Sequence, residues 1–125
     1  LSYLWERKIT LIVPVPLHSR RKRKRGFNQA EIVAKVLSES TGIAMDAGAV
    51  KRIKATSPQK ELGDKGRKRN IRGAFAVQKN VKGENIVLID DIYTTGSTLD
   101  EAARVLKKAG AENVYFLTVS IGQGI

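Results

Sequence analysis

The sequence of 125 residues contains no cysteine, which excludes a disulfide framework and a zinc site built from thiolates. No apolar run approaches the roughly 20 residues that a membrane-spanning helix needs, and residues 1–8 lack the apolar stretch of a secretory signal. We therefore expect a cytoplasmic protein without a membrane span. The length suits one domain, residues 1–125, with a single core. The chain begins at Leu1 rather than at a methionine, as the C-terminal part of a longer polypeptide would.

Acidic residues are almost absent from two stretches whose combined charge exceeds the net charge of +11. Arg20 to Arg25 contains six bases and no acid, and Lys51 to Arg72 contains nine bases and two acids. The rest of the chain sums to −2. Such stretches attract polyanions, although two solvated loops would have the same composition. Aromatic residues are also absent between Lys51 and Arg72, which disfavours a protein that stacks on single-stranded bases.

Hydrophobic periodicity predicts an α/β fold, in which strands and helices alternate along the chain. The β-branched run Ile9–Val13 is expected to be a buried strand that ends at Pro14 and Pro16, because proline cannot continue a central strand. Asn28 is the expected N-cap of the next helix, since Glu31 follows three residues later. The apolar face of that helix and the glycine that ends it are predicted to be Ala30, Val33, Val36, Leu37 and Gly42.

The second half of the chain repeats this alternation around an apolar run. Ile86–Ile89 is continuously apolar, which favours a strand buried on both faces of a parallel sheet. Thr98 and Glu101 have the spacing of a capping box and are expected to start a helix that Gly110 ends. With Val114–Val119 these residues form a predicted βαβ unit. Weaker signals predict strands in residues 47–53 and 74–77, joined by a flexible lid loop over residues 52–72.

Two acids and a Thr-Thr-Gly-Ser-Thr segment follow the central apolar run. In an open α/β sheet, ligands bind at the carboxyl ends of the strands, which is where Asp90, Asp91 and Thr94–Thr98 are expected. Small residues, hydroxyls and a helix start suit a phosphate group. The adjacent carboxylates would repel a phosphate but can accept hydrogen bonds from the vicinal hydroxyls of a ribose. The segment therefore predicts a ribose 5-phosphate site, with an acidic turn before an ordinary helix cap as the structural alternative.

The run Val87–Thr98 resembles the signature for phosphoribosyl pyrophosphate (PRPP) in type I phosphoribosyltransferases. This resemblance implies that family's α/β fold, a mainly parallel central sheet flanked by helices, with a long flexible lid loop. It implies that Asp90 and Asp91 contact the ribose hydroxyls. It further implies that the 5′-phosphate is bound by Thr94, Thr95, Gly96, Ser97 and Thr98. Purine-salvage members usually have an aspartate at the position of Thr94, so the resemblance does not extend to a purine base as the acceptor.

A wider resemblance, together with the signature, covers most of the chain and points to the ComF/GntX group of competence-type phosphoribosyltransferase-like proteins. Full-length members of this group often carry an N-terminal cysteine-rich zinc module, and the group implies a role in DNA uptake with a helicase-like partner. The acceptor substrate is not identified by the resemblance. The matching positions outside the signature are Val13–His18, Arg20, Arg25–Gln29, Arg52, Thr56, Gln59, Leu62, Arg67, Asn70 and Gly73–Phe75.

The two basic stretches are expected to bind the pyrophosphate of PRPP, whose departure leaves negative charge to be stabilised. The first stretch follows a strand that lies beside the signature strand in this family's fold, and its candidate ligands are Leu17, His18, Arg20 and Arg25. The second stretch resembles the family's lid, with Arg52, Lys60, Lys65 and Arg67 as candidates to cover the pyrophosphate. Mg²⁺ is expected to bind through the substrate rather than through protein ligands.

Two functions fit the sequence. The first is an enzyme that transfers ribose 5-phosphate from PRPP to an unidentified nitrogen acceptor and releases pyrophosphate. The second is a non-catalytic module that keeps the fold and binds nucleic acid or a protein partner, which the positive charge favours. The sequence supports the enzyme more strongly, because the signature combines groups for the ribose and for its phosphate.

Overall fold

The computed structural model describes residues 2–16, 28–53, 71–91 and 96–119. These residues form a four-stranded sheet of order β2-β1-β5-β6 and a separate two-stranded sheet of β3 and β4. All pairs in the larger sheet are parallel, and β3 and β4 are antiparallel. In chain order, the elements are α1 (Ser2–Glu6), β1 (Leu11–Pro14), α2 (Gln29–Thr41), β2 (Ala44–Met45), β3 (Val50–Arg52), β4 (Phe75–Val77), β5 (Asn85–Asp91), α3 (Gly96–Lys108) and β6 (Asn113–Val119).

The central strand β5 is buried on both faces, as its apolar run predicts. The side chains of Ile86 to Ile89 are all 0% exposed. Ile86 and Leu88 pack with α3 and with the β3–β4 hairpin, whereas Val87 and Ile89 pack with α1 and α2. This division follows from the two-residue period of a strand. The expected parallel sheet flanked by helices is confirmed, and the described part of the chain contains no helix long and apolar enough to cross a membrane.

Strand β1 tolerates a proline at its end because of where the missing N–H group would point. The N–H of Val15 donates to Ile89 O on the β5 side (2.9 Å), and the carbonyl of Ile12 accepts from Asp46 on the β2 side (3.0 Å). Alternation along the strand directs the nitrogen of Pro14 to the β2 side, beyond the last residue of that strand. The proline therefore removes no hydrogen bond between the two strands.

Helix α2 begins as predicted, with Asn28 as its N-cap. The side chain of Asn28 accepts a hydrogen bond from the N–H of Ala30 (3.0 Å) and donates one to Val15 O (3.1 Å). Gly42, at φ +78°, ends the helix in the left-handed region. One part of the predicted apolar face is wrong, because Val36 is 56% exposed.

The prediction of a capping box at Thr98 and Glu101 is also wrong. Helix α3 begins at Gly96, so Thr98 lies inside the first turn rather than before it. The carboxylate of Glu101 does not turn back to the helix start but accepts hydrogen bonds from Gly73 and Arg104. Spacing along the chain suggested a partner at the helix start, whereas the backbone partner, Gly73, is 28 residues away.

The β3–β4 hairpin changes the expected boundary of the lid loop. Arg52 is the last residue of β3, where it lies opposite Phe75 of β4, and is not in a loop. Its guanidinium lies over the Phe75 ring, 5.4 Å from the centroid, which is close enough for a cation–π interaction. Of the other residues of the predicted lid, 53, 71 and 72 are described, and 54–70 lie outside the described residues.

Candidate functional site

The carboxyl end of β5 is where the candidate site is built. The strand continues through Asp90 and Asp91, which lie opposite Thr118 and Val119 of β6. Helix α3 then begins at Gly96, after residues 92–95. The N-terminal end of a helix carries partial positive charge and free N–H groups. A helix start, which suits an anionic group, thus follows the two acids, with four residues between Asp91 and Gly96.

Strand β1, which precedes the first basic stretch in the sequence, ends at the same edge of the sheet. Pro14 lies opposite Ile89, one residue before the acidic pair. Because β1 and β5 are parallel, the chain leaves both strands at the same edge. The adjacency of these strands, expected from the family resemblance, is confirmed. The candidate pyrophosphate ligands Leu17, His18, Arg20 and Arg25 lie outside the described residues.

The side chain of Asp90 is inside the protein and 1% exposed. Alternation along β5 places it on the side of the sheet that carries Ile86 and Leu88, which pack in the core with α3. A buried carboxylate needs compensating partners, and Asp90 does interact with other groups of the protein. Its contact with a ribose stays a prediction. The side chain of Asp91 lies outside the described residues.

The first turn of α3 contains the described part of the predicted 5′-phosphate segment. Gly96 is exposed, and a Cβ atom placed on it would meet no described atom within 4 Å apart from its chain neighbours and the helix's own backbone. Among the described residues, the space beside this glycine is therefore open. Ser97 is half-buried, and Thr98 is buried and interacts with other groups. Thr94 and Thr95 lie outside the described residues.

Glu101 is a buried charged residue whose role the sequence did not indicate. It is 7% exposed. Its Oε2 accepts hydrogen bonds from the N–H of Gly73 (2.9 Å) and from Nη2 of Arg104 (2.7 Å), and its Oε1 accepts one from Nε of Arg104 (2.8 Å). The hydrogen bonds from Arg104 lower the pKa of the Glu101 carboxyl below its ordinary value, although burial acts in the opposite direction. The only sequence signal was the spacing of three residues between Glu101 and Arg104, which suits an ion pair on a helix.

Of the four candidate lid residues, only Arg52 lies within the described ranges. Lys60, Lys65 and Arg67 lie outside them. Near the hairpin, a shallow open cleft lies beside the end of β1 and contains two lysines. Its lining residues are Pro16, Ala47, Gly48, Val50, Lys51, Gln78 and Lys79. Within residues 2–16, 28–53, 71–91 and 96–119, no three His, Asp or Glu side chains form a group that could hold a metal ion.

Comparison with protein families gives a match over most of the chain. Residues 8–121 match the family model described as the phosphoribosyl transferase domain. Two solved structures share the fold. The purine phosphoribosyltransferase from Pyrococcus horikoshii Ot3 has a TM-score of 0.59 at 21% identity, and the alignment covers 94% of this chain and 65% of that one. The allosteric regulatory enzyme of purine biosynthesis has a TM-score of 0.56 at 21% identity, over 86% of this chain and 21% of that one.

Curated relatives are more similar in sequence. DNA utilization protein YhgH of Escherichia coli K12 is 43% identical over 103 residues, which are 82% of this chain and 45% of that protein. Competence protein F of Haemophilus influenzae is 42% identical over 106 residues, 82% of this chain and 46% of that protein. Competence protein ComFC of Bacillus subtilis is 35% identical over 120 residues, 94% of this chain and 47% of that protein. The chain thus spans slightly less than half the length of these relatives.

Proposed function

The chain belongs to the phosphoribosyl transferase domain family, as a ComF-type member, and on that premise we propose that it binds PRPP and transfers its ribose 5-phosphate to a nitrogen acceptor. One observation carries the proposal. An acidic pair ends the central buried strand, and a 13-residue helix whose first residue, Gly96, is exposed follows it. This arrangement offers acceptors for the ribose hydroxyls and donors for the 5′-phosphate.

The proposed reaction exchanges two bonds at C1 of the ribose. The bond between C1 and the pyrophosphate oxygen breaks, a bond between C1 and the acceptor nitrogen forms, and the acceptor loses a proton. Positive charge develops on the ribose in a transition state that resembles an oxocarbenium ion. The carboxylates of Asp90 and Asp91 would stabilise that charge as well as hold the hydroxyls. Mg²⁺, bound mainly through the phosphates of PRPP, would offset the charge of the leaving pyrophosphate.

Isothermal titration calorimetry with PRPP and Mg²⁺ tests the binding step. We expect saturable binding by the wild type and none by the double variant Asp90→Asn with Asp91→Asn, while the far-UV circular dichroism spectrum stays the same. Glu39→Gln removes one charge from an exposed position of α2 and should bind PRPP like the wild type. Asp91→Asn alone provides a second variant that leaves the buried Asp90 in place. Wild-type affinity in the double variant would refute the ribose assignment.

Turnover requires a separate measurement, because binding alone does not establish transfer. We expect pyrophosphate release when the protein, PRPP and Mg²⁺ are mixed with a suitable nitrogen acceptor from a panel of nucleobases and amines. Purine bases are expected to be poor acceptors, since Thr94 stands where a carboxylate would be needed. PRPP binding without pyrophosphate release on any acceptor would instead support the non-catalytic module.

A connection with DNA is the second part of the proposal. Relatives are named as a DNA utilization protein and as competence proteins, and residues 20–25 and 51–72 carry net charges of +6 and +7. We propose that the protein acts in DNA uptake or use, with DNA or a helicase-like protein as its partner. Fluorescence anisotropy with a labelled oligonucleotide tests direct binding. Binding driven by phosphates should weaken steeply between about 50 and 200 mM salt, and binding unaffected by PRPP would favour the non-catalytic module.

A further inference from the structure

Glu101 forms a hydrogen bond between α3 and the β3–β4 hairpin, two elements that otherwise contact each other through apolar side chains. It lies in α3, five positions after the first residue of the helix. Its hydrogen-bond donor Gly73 lies just before β4 in the hairpin. A single buried carboxylate therefore joins the helix that begins at the candidate phosphate site to the hairpin that carries Arg52.

The hairpin partner is itself held firmly. Gly73 has φ +76°, a conformation that favours glycine. The N–H of Ala74 donates to Ile71 O (2.9 Å), and the carbonyl of Ala74 accepts from the N–H of Ile53 (2.7 Å). The donor to Glu101 is thus placed within a hydrogen-bonded turn that also fixes the end of β3.

Apolar contacts between α3 and the hairpin fix their separation but not their register. Ala102 and Leu106 share a core cluster with Ala74 and Phe75. Burial of such side chains is non-directional, so it tolerates small shifts along the helix axis. A hydrogen bond depends on both distance and angle, and one between the hairpin backbone and a buried carboxylate sets a single register.

A buried carboxylate is costly unless it is paired. Arg104 offsets that cost with two hydrogen bonds from its guanidinium, while its own side chain remains 41% exposed. Arg72 adds a favourable charge from the hairpin side. Alanine or leucine at position 101 would avoid this cost but could not accept the hydrogen bond from Gly73.

We propose that Glu101 is a positioning residue that holds the start of α3 in register with the β3–β4 hairpin, so that the 5′-phosphate and the pyrophosphate of PRPP are bound at the correct separation. The inference rests on the proposed PRPP function. In the proposed function the start of α3 binds the 5′-phosphate. Arg52, at the end of β3, is the hairpin's candidate for the pyrophosphate, and it would have to leave its contact with Phe75 to reach that group. Binding of a ligand that contacts both α3 and the hairpin should depend on Glu101. Binding of a ligand that contacts only α3 should not.

Titration of PRPP and of ribose 5-phosphate, each with Mg²⁺, separates these cases. We expect Glu101→Ala to weaken PRPP binding on the order of 10-fold or more, the range for loss of a charged hydrogen bond, and to weaken ribose 5-phosphate binding by less than about 3-fold. Glu101→Gln keeps an acceptor for Gly73 and should restore most of the PRPP affinity. Glu39→Gln is the matched control on an exposed helical position and should change neither affinity.

Amide hydrogen exchange at Gly73 provides a readout that does not depend on a ligand. We expect faster exchange in Glu101→Ala and near wild-type exchange in Glu101→Gln. Equal losses for both ligands in Glu101→Ala, or no loss for either, would overturn the proposal. If Glu101→Ala does not fold, Arg104→Ala takes its place, because it keeps the carboxylate but removes its main side-chain partner. It should weaken PRPP binding more than ribose 5-phosphate binding, and equal effects on both ligands would overturn the proposal. A wild-type protein that binds neither ligand would refute the proposed function itself.

Discussion

The two long helices, α2 and α3, are alike in length and in the elements before and after them, but they differ at the residue where each begins. Both α2 and α3 have 13 residues and come after a parallel strand of the central sheet. Both are followed by a glycine with positive φ, Gly42 at +78° and Gly110 at +109°. The start of α2 is capped by the side chain of Asn28, and the first residue of α3, Gly96, is exposed, with open space beside it among the described residues. We infer that this exposed start of α3 is where a ligand binds.

The buried faces of the two helices also differ, because only α3 buries a charged residue. Helix α2 buries Ala30 and Ala34, which need no polar partner. Helix α3 buries Ala102 and Leu106 but also Glu101. A charge inside a protein needs partners there. The helix associated with the candidate site is therefore held to the hairpin by a buried charged hydrogen bond as well as by apolar packing, whereas the side chains that α2 buries are alanines.

The largest expected effect comes from filling the accessible space at the start of α3. Gly96→Val should weaken PRPP binding about 100-fold or more, because the side chain would occupy the volume in which the backbone N–H groups meet a phosphate. Stability should not fall, since glycine is a poor helix residue and no described atom, apart from its chain neighbours and the helix's own backbone, lies within 4 Å of the added Cβ. Calorimetric titration and urea unfolding measure the two quantities.

A smaller substitution at the same position checks the steric explanation. Gly96→Ala should weaken PRPP binding less than Gly96→Val, in proportion to the added volume. Unchanged PRPP affinity in Gly96→Val would show that the ligand does not approach this turn, and the contrast between the two helix starts would lose its functional meaning.

The intermediate effect concerns the start of α2, where a loss of stability is expected. Asn28→Ala removes the N-cap and the hydrogen bond to Val15 O, so the free energy of unfolding should fall by about 1 to 3 kcal/mol. Asn28→Ser keeps a capping oxygen but has no amide to reach Val15, and should lose less. Urea unfolding curves compare the three proteins. Equal stability of wild type and Asn28→Ala would mean that water replaces the cap without cost.

The sequence predicted the features that depend on neighbouring residues. The continuous apolar run gave β5 its burial on both faces, and the side chain of Asn28 marked the start of α2. The position of Asp90 and Asp91 at the carboxyl end of a central strand followed from the same alternation of strands and helices. Each of these features depends on residues that are close together in the sequence, so the pattern of apolar, polar and capping residues predicts it.

Features set by distant contacts were not predicted. Glu101 binds Gly73 rather than the helix start, and Arg52 extends β3 because Phe75 lies opposite it. Val36 was assigned to the buried face of α2, but at about 100° per residue it lies well away from the stripe formed by Ala30 and Ala34. Tertiary pairing decided the first two cases, and the third was an error of angle.

The smallest expected effect is a pH dependence that tests the buried charge of α3. Hydrogen bonds from Arg104 lower the pKa of Glu101 in the folded protein below its ordinary value of 4.5. The resulting stabilisation is fully present above that ordinary value and is lost as the pH falls through the lowered folded pKa. The stability advantage of the wild type over Glu101→Gln should thus be constant from neutral pH to about pH 5 and shrink below it.

The effect is small because the Arg104 side chain is 41% exposed and solvent screens its charge. Urea unfolding of both proteins across this range measures the difference, and Arg104→Ala should flatten it. An advantage that grew on acidification would mean that burial, not Arg104, controls the protonation of Glu101 and that α3 carries no specific charged contact to contrast with the packing of α2.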